Sequence, residues 1–249
     1  MAILIKTPQE IEKMHRSGQI LRQVHEALRP FVVAGATTAD LERVANQKID
    51  GFGAKAAFKG YHGFPAALCT SINEQVVHGM PNERTILKDG DILSIDCGVI
   101  VEGYYSDSAV TYAIGLPSAK TKRLLTVTEA ALEAAIGEAV PGGRLFDISA
   151  RIQEMCEAEG FGVVRDFVGH GIGKAMHEDP QVPNFGTRGK GPRLKVGMVL
   201  AIEPMINAGG PEVKVLKDGW TAVTVDGSYS AHFEHTVAIT KDGPLVLTR

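Results

Sequence analysis

Cysteine is scarce in this chain: Cys69, Cys97 and Cys156 are the only three in 249 residues, and none forms a C-x-x-C pair. An odd, dispersed set excludes a disulfide framework and fits reduced thiols in a cytoplasmic setting. A charge excess is also missing. Twenty-six Lys and Arg face twenty-nine Asp and Glu, a net of −3, so the basic surplus of a general nucleic-acid or membrane-surface binder is absent. No apolar run approaches the roughly 18 residues of a spanning helix. The apolar stretch at the start, Ala2 to Ile5, is too short for a signal-peptide core. A soluble protein that stays where it is made is expected. Nucleotide motifs fail too. Around Gly169-His-Gly-Ile-Gly-Lys174 only three residues separate Gly169 from Gly173, Ala175 follows the lysine, and Lys174 stands where a dinucleotide fingerprint needs its third glycine.

What is present is an ordinary globular composition, 44% hydrophobic and 22% charged, which excludes a disordered chain. At roughly 150 residues per domain the length allows one or two domains, enough to bury a core without disulfide or structural metal. Thr7-Pro-Gln-Glu10 is a capping box, followed by Ile11, Met14, Leu21, Val24 and Leu28 at helical spacing and closed by Arg29-Pro30. Thr37-Thr-Ala-Asp40 opens a second helix carrying Leu41, Val44, Ala45 and Ile49. Strand-like runs follow at 67–72, 92–101 and 104–114. Then two helices return, one over Leu124 to Ile136 and one over Ile148 to Cys156. Short strands with Asp218-Gly219, Asp226-Gly227 and Asp242-Gly243 turns fill the remainder.

The restart is an internal repeat. Leu87-Lys-Asp-Gly-Asp-Ile-Leu-Ser-Ile-Asp96 aligns with Leu194-Lys-Val-Gly-Met-Val-Leu-Ala-Ile-Glu203, 107 residues later, and the same offset pairs Val33, Gly35 and Asp40 with Val140, Gly142 and Asp147. Two related α+β halves are expected, about residues 1–115 and 116–249, within one catalytic domain spanning 1–249. Asp96 and Glu203 close the aligned segments, so pseudo-symmetry brings two carboxylates to the seam, where pockets form.

Asp96 ends the apolar run Ile92–Ile95, a costly place for an unpaired anion. If Glu102-Gly103 is a two-residue hairpin turn, Asp107 lies opposite Gly98, on the face of Asp96 and diagonal to it. Gly98 is then expected to leave space beside Asp107. His170 stands among glycines that give its imidazole open approach, and Glu203 and Glu234 each end or interrupt buried-looking runs. Four carboxylates and one imidazole suit a pair of divalent ions (Mn, Fe, Co or Zn) better than a thiolate site does. Taken singly, each acid is more often structural than catalytic; the set carries the argument. His78 and His177 are candidates to donate to a carbonyl or oxyanion. His15 and His25 fall in a helix, and His235 faces away from Glu234.

Asp96, Asp107, His170, Glu203 and Glu234, in this order, together with Gly60-Tyr-His-Gly-Phe-Pro65, Ser71-Ile-Asn-Glu74, Val77-His-Gly79, Ile202-Glu-Pro-Met205 and Glu234-His-Thr236, resemble the methionine aminopeptidases over nearly the whole chain. The resemblance implies the α+β pita-bread fold, two pseudo-symmetric halves of antiparallel sheet covered by helices. It also implies removal of the N-terminal initiator methionine from nascent proteins with a small second residue. By this resemblance Asp107 and Glu234 bridge two divalent metals, Asp96 completes one, and His170 and Glu203 complete the other. Glu203 moves a proton, His177 stabilises the carbonyl oxygen, and His78 contacts the amide beyond the scissile bond. The resemblance also implies a methionine pocket of Tyr61, His62, Phe64, Cys69 and Trp220, with Phe58, Phe64 and Met176 differing from types common in bacterial relatives. Main-chain oxygens of Asn73 and Ser230 are implied for a monovalent cation. With no zinc-binding extension before residue 5 and no large C-terminal insertion, a monomeric cytoplasmic type I enzyme is expected. The alternatives are an X-prolyl aminopeptidase or dipeptidase of the same fold, and a non-catalytic interaction module of that fold. The basic loop Arg188-Gly-Lys-Gly-Pro-Arg193-Leu-Lys195 is a candidate for transient ribosome contact.

Overall fold

The structure, a computed structural model, describes residues 2–249. Helix α1 (Pro8–Leu28) starts at the expected box: the Glu10 N–H donates to the Thr7 hydroxyl while the Thr7 N–H donates to the Glu10 carboxylate at 2.9 Å. Two otherwise orphaned donors are thereby satisfied. Its buried face carries Met14, Leu21, Val24 and Leu28. Helix α2 (Thr38–Gly51) opens on the same device at Thr37 and Asp40. Both pack on a sheet of the strands Lys55–Ala56, Leu68–Ile72, Ile92–Val101 and Tyr104–Ala113. Their shared core contains Leu21, Leu41, Ile49, Leu93 and Ile95.

Helices α3 (Ala119–Gly137) and α4 (Leu145–Ala158) begin the second cycle. They cover strands Val199–Ile202 and Met205–Asn207 through a core of Leu124, Leu132, Ile148, Ile152, Leu200 and Ile206. Val199–Ile202 belongs to a five-stranded sheet with Gly169–Gly171, Glu178–Val182, His235–Thr240 and Gly243–Val246. Among the described residues every strand pairing is antiparallel.

The 107-residue spacing recurs in the backbone hydrogen bonds. Gly35 N–H donates to Leu87 O and Leu87 N–H to Ala36 O; 107 residues on, Gly142 donates to Leu194 O and Leu194 to Gly143 O, all at 2.8–2.9 Å. The isolated bridges Thr37↔Ile86 and Arg144↔Arg193 differ by the same offset.

Between the repeats runs a seam built from hydroxyls. Thr236 Oγ1 accepts from Asp107 N–H at 3.0 Å and donates to Asp107 O at 2.8 Å. Thr111 Oγ1 accepts from His232 N–H at 2.9 Å and donates to His232 O at 2.6 Å. Between them Glu234 N–H donates to Ala109 O at 2.9 Å. The Ser94 hydroxyl lies 2.8 Å from Thr111 Oγ1, so the single proton and both lone pairs of Thr111 are used when Ser94 donates. The seam therefore holds 107–111 and 232–236 in antiparallel register.

Among the described residues no helix is long and apolar enough to cross a membrane. The three cysteines are free and buried. In the basic loop, Arg188 pairs with Glu154 and Glu138, and Arg193 donates to Gly142 O, so half of its four cations are engaged within the chain.

Candidate active site

Strand arithmetic puts the first two acids together. Val101 pairs with Tyr104 around a turn with φ of 50° at Glu102 and 79° at Gly103, the geometry of a two-residue hairpin. Gly98 then lies opposite Asp107 and Asp96 opposite Ala109, as the sequence implies. The expected space beside Gly98 is corrected: a Cβ there would meet Phe58 Cε1 at 2.9 Å and the Ala57 Cβ at 3.0 Å. Glycine at 98 lets the aromatic wall close onto the strand.

The glycines flanking His170 serve a different purpose from the one expected. A Cβ on Gly169 would lie 2.4 Å from Ala201 O, and one on Gly171 2.3 Å from Asp179 O. They let neighbouring backbones press in and hold His170, which is itself buried. The His170 Nδ1 lies 2.8 Å from Gly171 O, so Nδ1 carries the proton and Nε2 presents a lone pair. That Nε2 faces Glu203 Oε1 at 3.6 Å and Asp107 Oδ2 at 4.0 Å.

Glu203 and Glu234 come from two facing breaks. His235 pairs with Ile202 and Met205 with His232, which sets Glu203 opposite Glu234 where both strands change sheets. Asp107 and Glu234 are 4% and 2% exposed, and Asp107 Oδ1, Asp96 Oδ1 and Glu234 Oε1 lack hydrogen-bond partners. Among the described residues no Lys or Arg forms an ion pair with any of the four acids. Burial pushes Asp96 up to about 7 and Glu203 to about 8, and raises Asp107 and Glu234 well above the usual carboxylate range, with their mutual repulsion adding to it. Burial pushes His170 down to about 3, which keeps it neutral. One ligand atom each from Asp107, His170 and Glu234 lies within 4.8 Å of the others. Buried unpaired carboxylates, bare oxygens and a lone-pair imidazole fixed by a carbonyl are what a divalent metal pair would satisfy, so the donor set fits that group.

These acids line a cavity of about 160 Å³ together with the candidates for catalysis and the methionine pocket, Tyr61, His62, Phe64, Cys69, His78, His170, His177 and Trp220, and with Phe58 and Met176. Phe64 and Trp220 meet edge to face at 5.1 Å, and His78 sets its edge against Phe167 and Trp220. His78 has φ of 59° and His62 of 48°, left-handed backbone that costs a non-glycine residue about 1–2 kcal/mol. His177 Nδ1 lies 2.8 Å from the Tyr61 hydroxyl. Burial raises the Tyr61 phenol and lowers His177, so the phenol donates and His177 keeps its proton on Nε2. The loop before His177 is held by Glu178, which accepts from Lys174 N–H at 2.9 Å and pairs with buried Lys6 at 2.5 Å. Away from the cavity, Ser230 N–H donates to Asn73 O at 2.8 Å, joining the two residues implied for a monovalent cation.

One residue in the nest was not a sequence candidate. His232 is 2% exposed, with Nε2 3.5 Å from Glu203 Oε2. Period two along the strand puts it on the face of Glu234, the same rule that turns His235 away, and that was the available signal.

The sequence profile of metallopeptidase family M24 matches residues 12–241. The chain is 52% identical over 247 residues to methionine aminopeptidase 1 of Bacillus subtilis (strain 168), covering 99% of each chain. It is 45% identical to the methionine aminopeptidase of Escherichia coli (strain K12), covering 100% of this chain and 94% of that one. The crystal structure of a methionine aminopeptidase from Thermotoga maritima superposes with a TM-score of 0.98 at 49% identity, covering both chains completely.

Proposed function

This chain belongs to metallopeptidase family M24 and has its pita-bread fold, and from that premise we infer that it is an aminopeptidase releasing N-terminal methionine. One observation carries the reading: the carboxylate-imidazole nest lines the same cavity as Phe58, Phe64, Cys69, Met176 and Trp220. A flexible thioether matches a lining of aromatic faces and sulfur.

In this proposal Asp107 and Glu234 would be shared by two metals, with Asp96 serving one and His170 and Glu203 the other; Mn, Fe, Co and Zn would all suit such donors. When bound, a divalent pair supplies Lewis-acid polarisation and a nucleophilic water at neutral pH. Glu203, at the break between two strands and within reach of both imidazoles, would take a proton and pass it toward the leaving amine. The His177 Nε2–H, fixed by Tyr61, donates to the carbonyl oxygen, where the bond strengthens as charge develops. His78 contacts the next amide, and its aromatic neighbours hold the ring. A monovalent cation at the Asn73 and Ser230 main chain would brace the two strand ends that meet there.

A small second residue in nascent chains, a cytoplasmic site of action and a monomeric state complete the proposal. Any transient ribosome contact falls mainly to Lys190 and Lys195, because Arg188 is held by Glu154 and Glu138. Salt-dependent cosedimentation with ribosomes, lost when both lysines become alanine, tests that part. The activity itself is tested on a peptide panel: release of methionine from Met-Ala-x supports it, whereas release of X from X-Pro with Met-Ala-x untouched replaces it with a prolidase-type reading.

A further inference from the structure

His232 lies outside the five-donor set, yet its imidazole belongs to the same nest. We propose that His232 is a sixth metal donor, forming with Glu203 and Glu234 a ligand triad on the Glu203 side of the centre. This rests on the metal-centre reading above. One ligand atom each from Glu203, His232 and Glu234 lies within 4.8 Å of the others.

Three further observations support it. The His232 Nε2 is buried without a hydrogen-bond partner, a penalty that a bound cation removes by taking the lone pair. Thr111 clamps both the N–H and the C=O of His232, so the backbone cannot swing the ring away. Each Glu203 oxygen faces a different imidazole, Oε1 to His170 at 3.6 Å and Oε2 to His232 at 3.5 Å. These separations are long for a hydrogen bond. They are close to the spacing of two donors about 2.1 Å from one tetrahedral ion, about 3.4 Å.

The chemical consequence is a nitrogen-richer side of the centre. A second imidazole favours Co, Fe and Zn over Mn, which prefers oxygen. The rival role, a hydrogen bond from His232 that merely positions Glu203, is preserved by His232→Gln, since the amide still donates.

The full chain is stripped with chelator, loaded with Mn(II), and its directly coordinated nitrogens are counted by pulsed EPR. Two imidazole nitrogens are expected in the wild type, one in His170→Ala and one in His232→Gln. Co(II) affinity of His232→Gln should fall about tenfold or more, with Mn(II) affinity falling less. Thermal unfolding of the metal-free variants checks that both are folded. One nitrogen in the wild type, none in His170→Ala and unchanged Co(II) affinity in His232→Gln overturn the proposal and leave the five-donor centre standing. No bound Mn(II) in the folded wild type overturns both.

Discussion

Asp96 and Glu203 hold equivalent places in the repeat but live in different surroundings. Asp96 sits inside an unbroken strand, Ile92–Val101, opposite Ala109 on one side and Cys69 on the other. Glu203 sits in a break, between strand Val199–Ile202 and strand Met205–Asn207, with imidazoles at both oxygens. Pro204 after Glu203 stops the ladder and frees that carboxylate from strand geometry. A repeated scaffold thus supplies two carboxylates, and the local break leaves one fixed in its strand and lets the other reach both imidazoles.

The largest test separates those two jobs. Asp96→Ala should lower kcat by about 10³-fold or more and lose one metal equivalent in parallel. Glu203→Gln should lose about as much turnover, as expected for an acid-base group, but less metal than Asp96→Ala, because the amide oxygen still offers a donor. Parallel metal loss in both variants would erase the distinction. His177→Ala, on the Glu203 side, should lower kcat by about 10²–10³ with KM within a few-fold, because its contact is made in the transition state; a change confined to KM removes it from that role.

The seam offers a symmetric control. Thr111→Val strands the N–H and C=O of His232, and Thr236→Val those of Asp107, at about 1–3 kcal/mol for each group left unsatisfied. Chemical denaturation should show comparable losses, and metal affinity should fall in both. Tyr61→Phe removes the bond that fixes the His177 tautomer, and about tenfold in kcat with unchanged metal content is expected. Unchanged kcat would mean that His177 is held by its stacking on Tyr61 and His170 alone.

The smallest effect is on metal-free stability. Asp96 and Glu203 titrate at about 7 and about 8 in the folded chain, above the ordinary 3.8 and 4.5. The folded state therefore binds protons that the unfolded chain has released, and stability present at lower pH is lost as pH rises through 7 to 8. His170 and His78, lowered by burial to about 3 and about 4, act in the opposite sense, but only below about pH 6.5. Chelated protein should accordingly melt about 2–4 °C lower at about pH 8.5 than at about 6.5 for each kcal/mol lost. Added metal should flatten that slope; a flat slope without metal contradicts the burial argument.

Much of this was legible before any fold was known. The hairpin count put Asp107 opposite Gly98 because a two-residue turn leaves no freedom of register. Both capping boxes and all four helices followed from local chemistry. The purpose of the glycines at 98, 169 and 171 was not legible, since it depends on Phe58, Ala201 and Asp179 arriving from elsewhere. His232 had a signal in its period-two relation to Glu234, but its value came from meeting Glu203.

By itself the sequence determined the elements, the repeat and the hairpin register, because capping, periodicity and turn geometry act over a few residues, and it singled out the five candidate donors. Only the tertiary structure decided the seam, where Thr111 meets His232 across 121 residues, and the protonation of the nest. Both depend on which groups are shut away from water together, and burial of that kind belongs to the assembled fold and to no single segment.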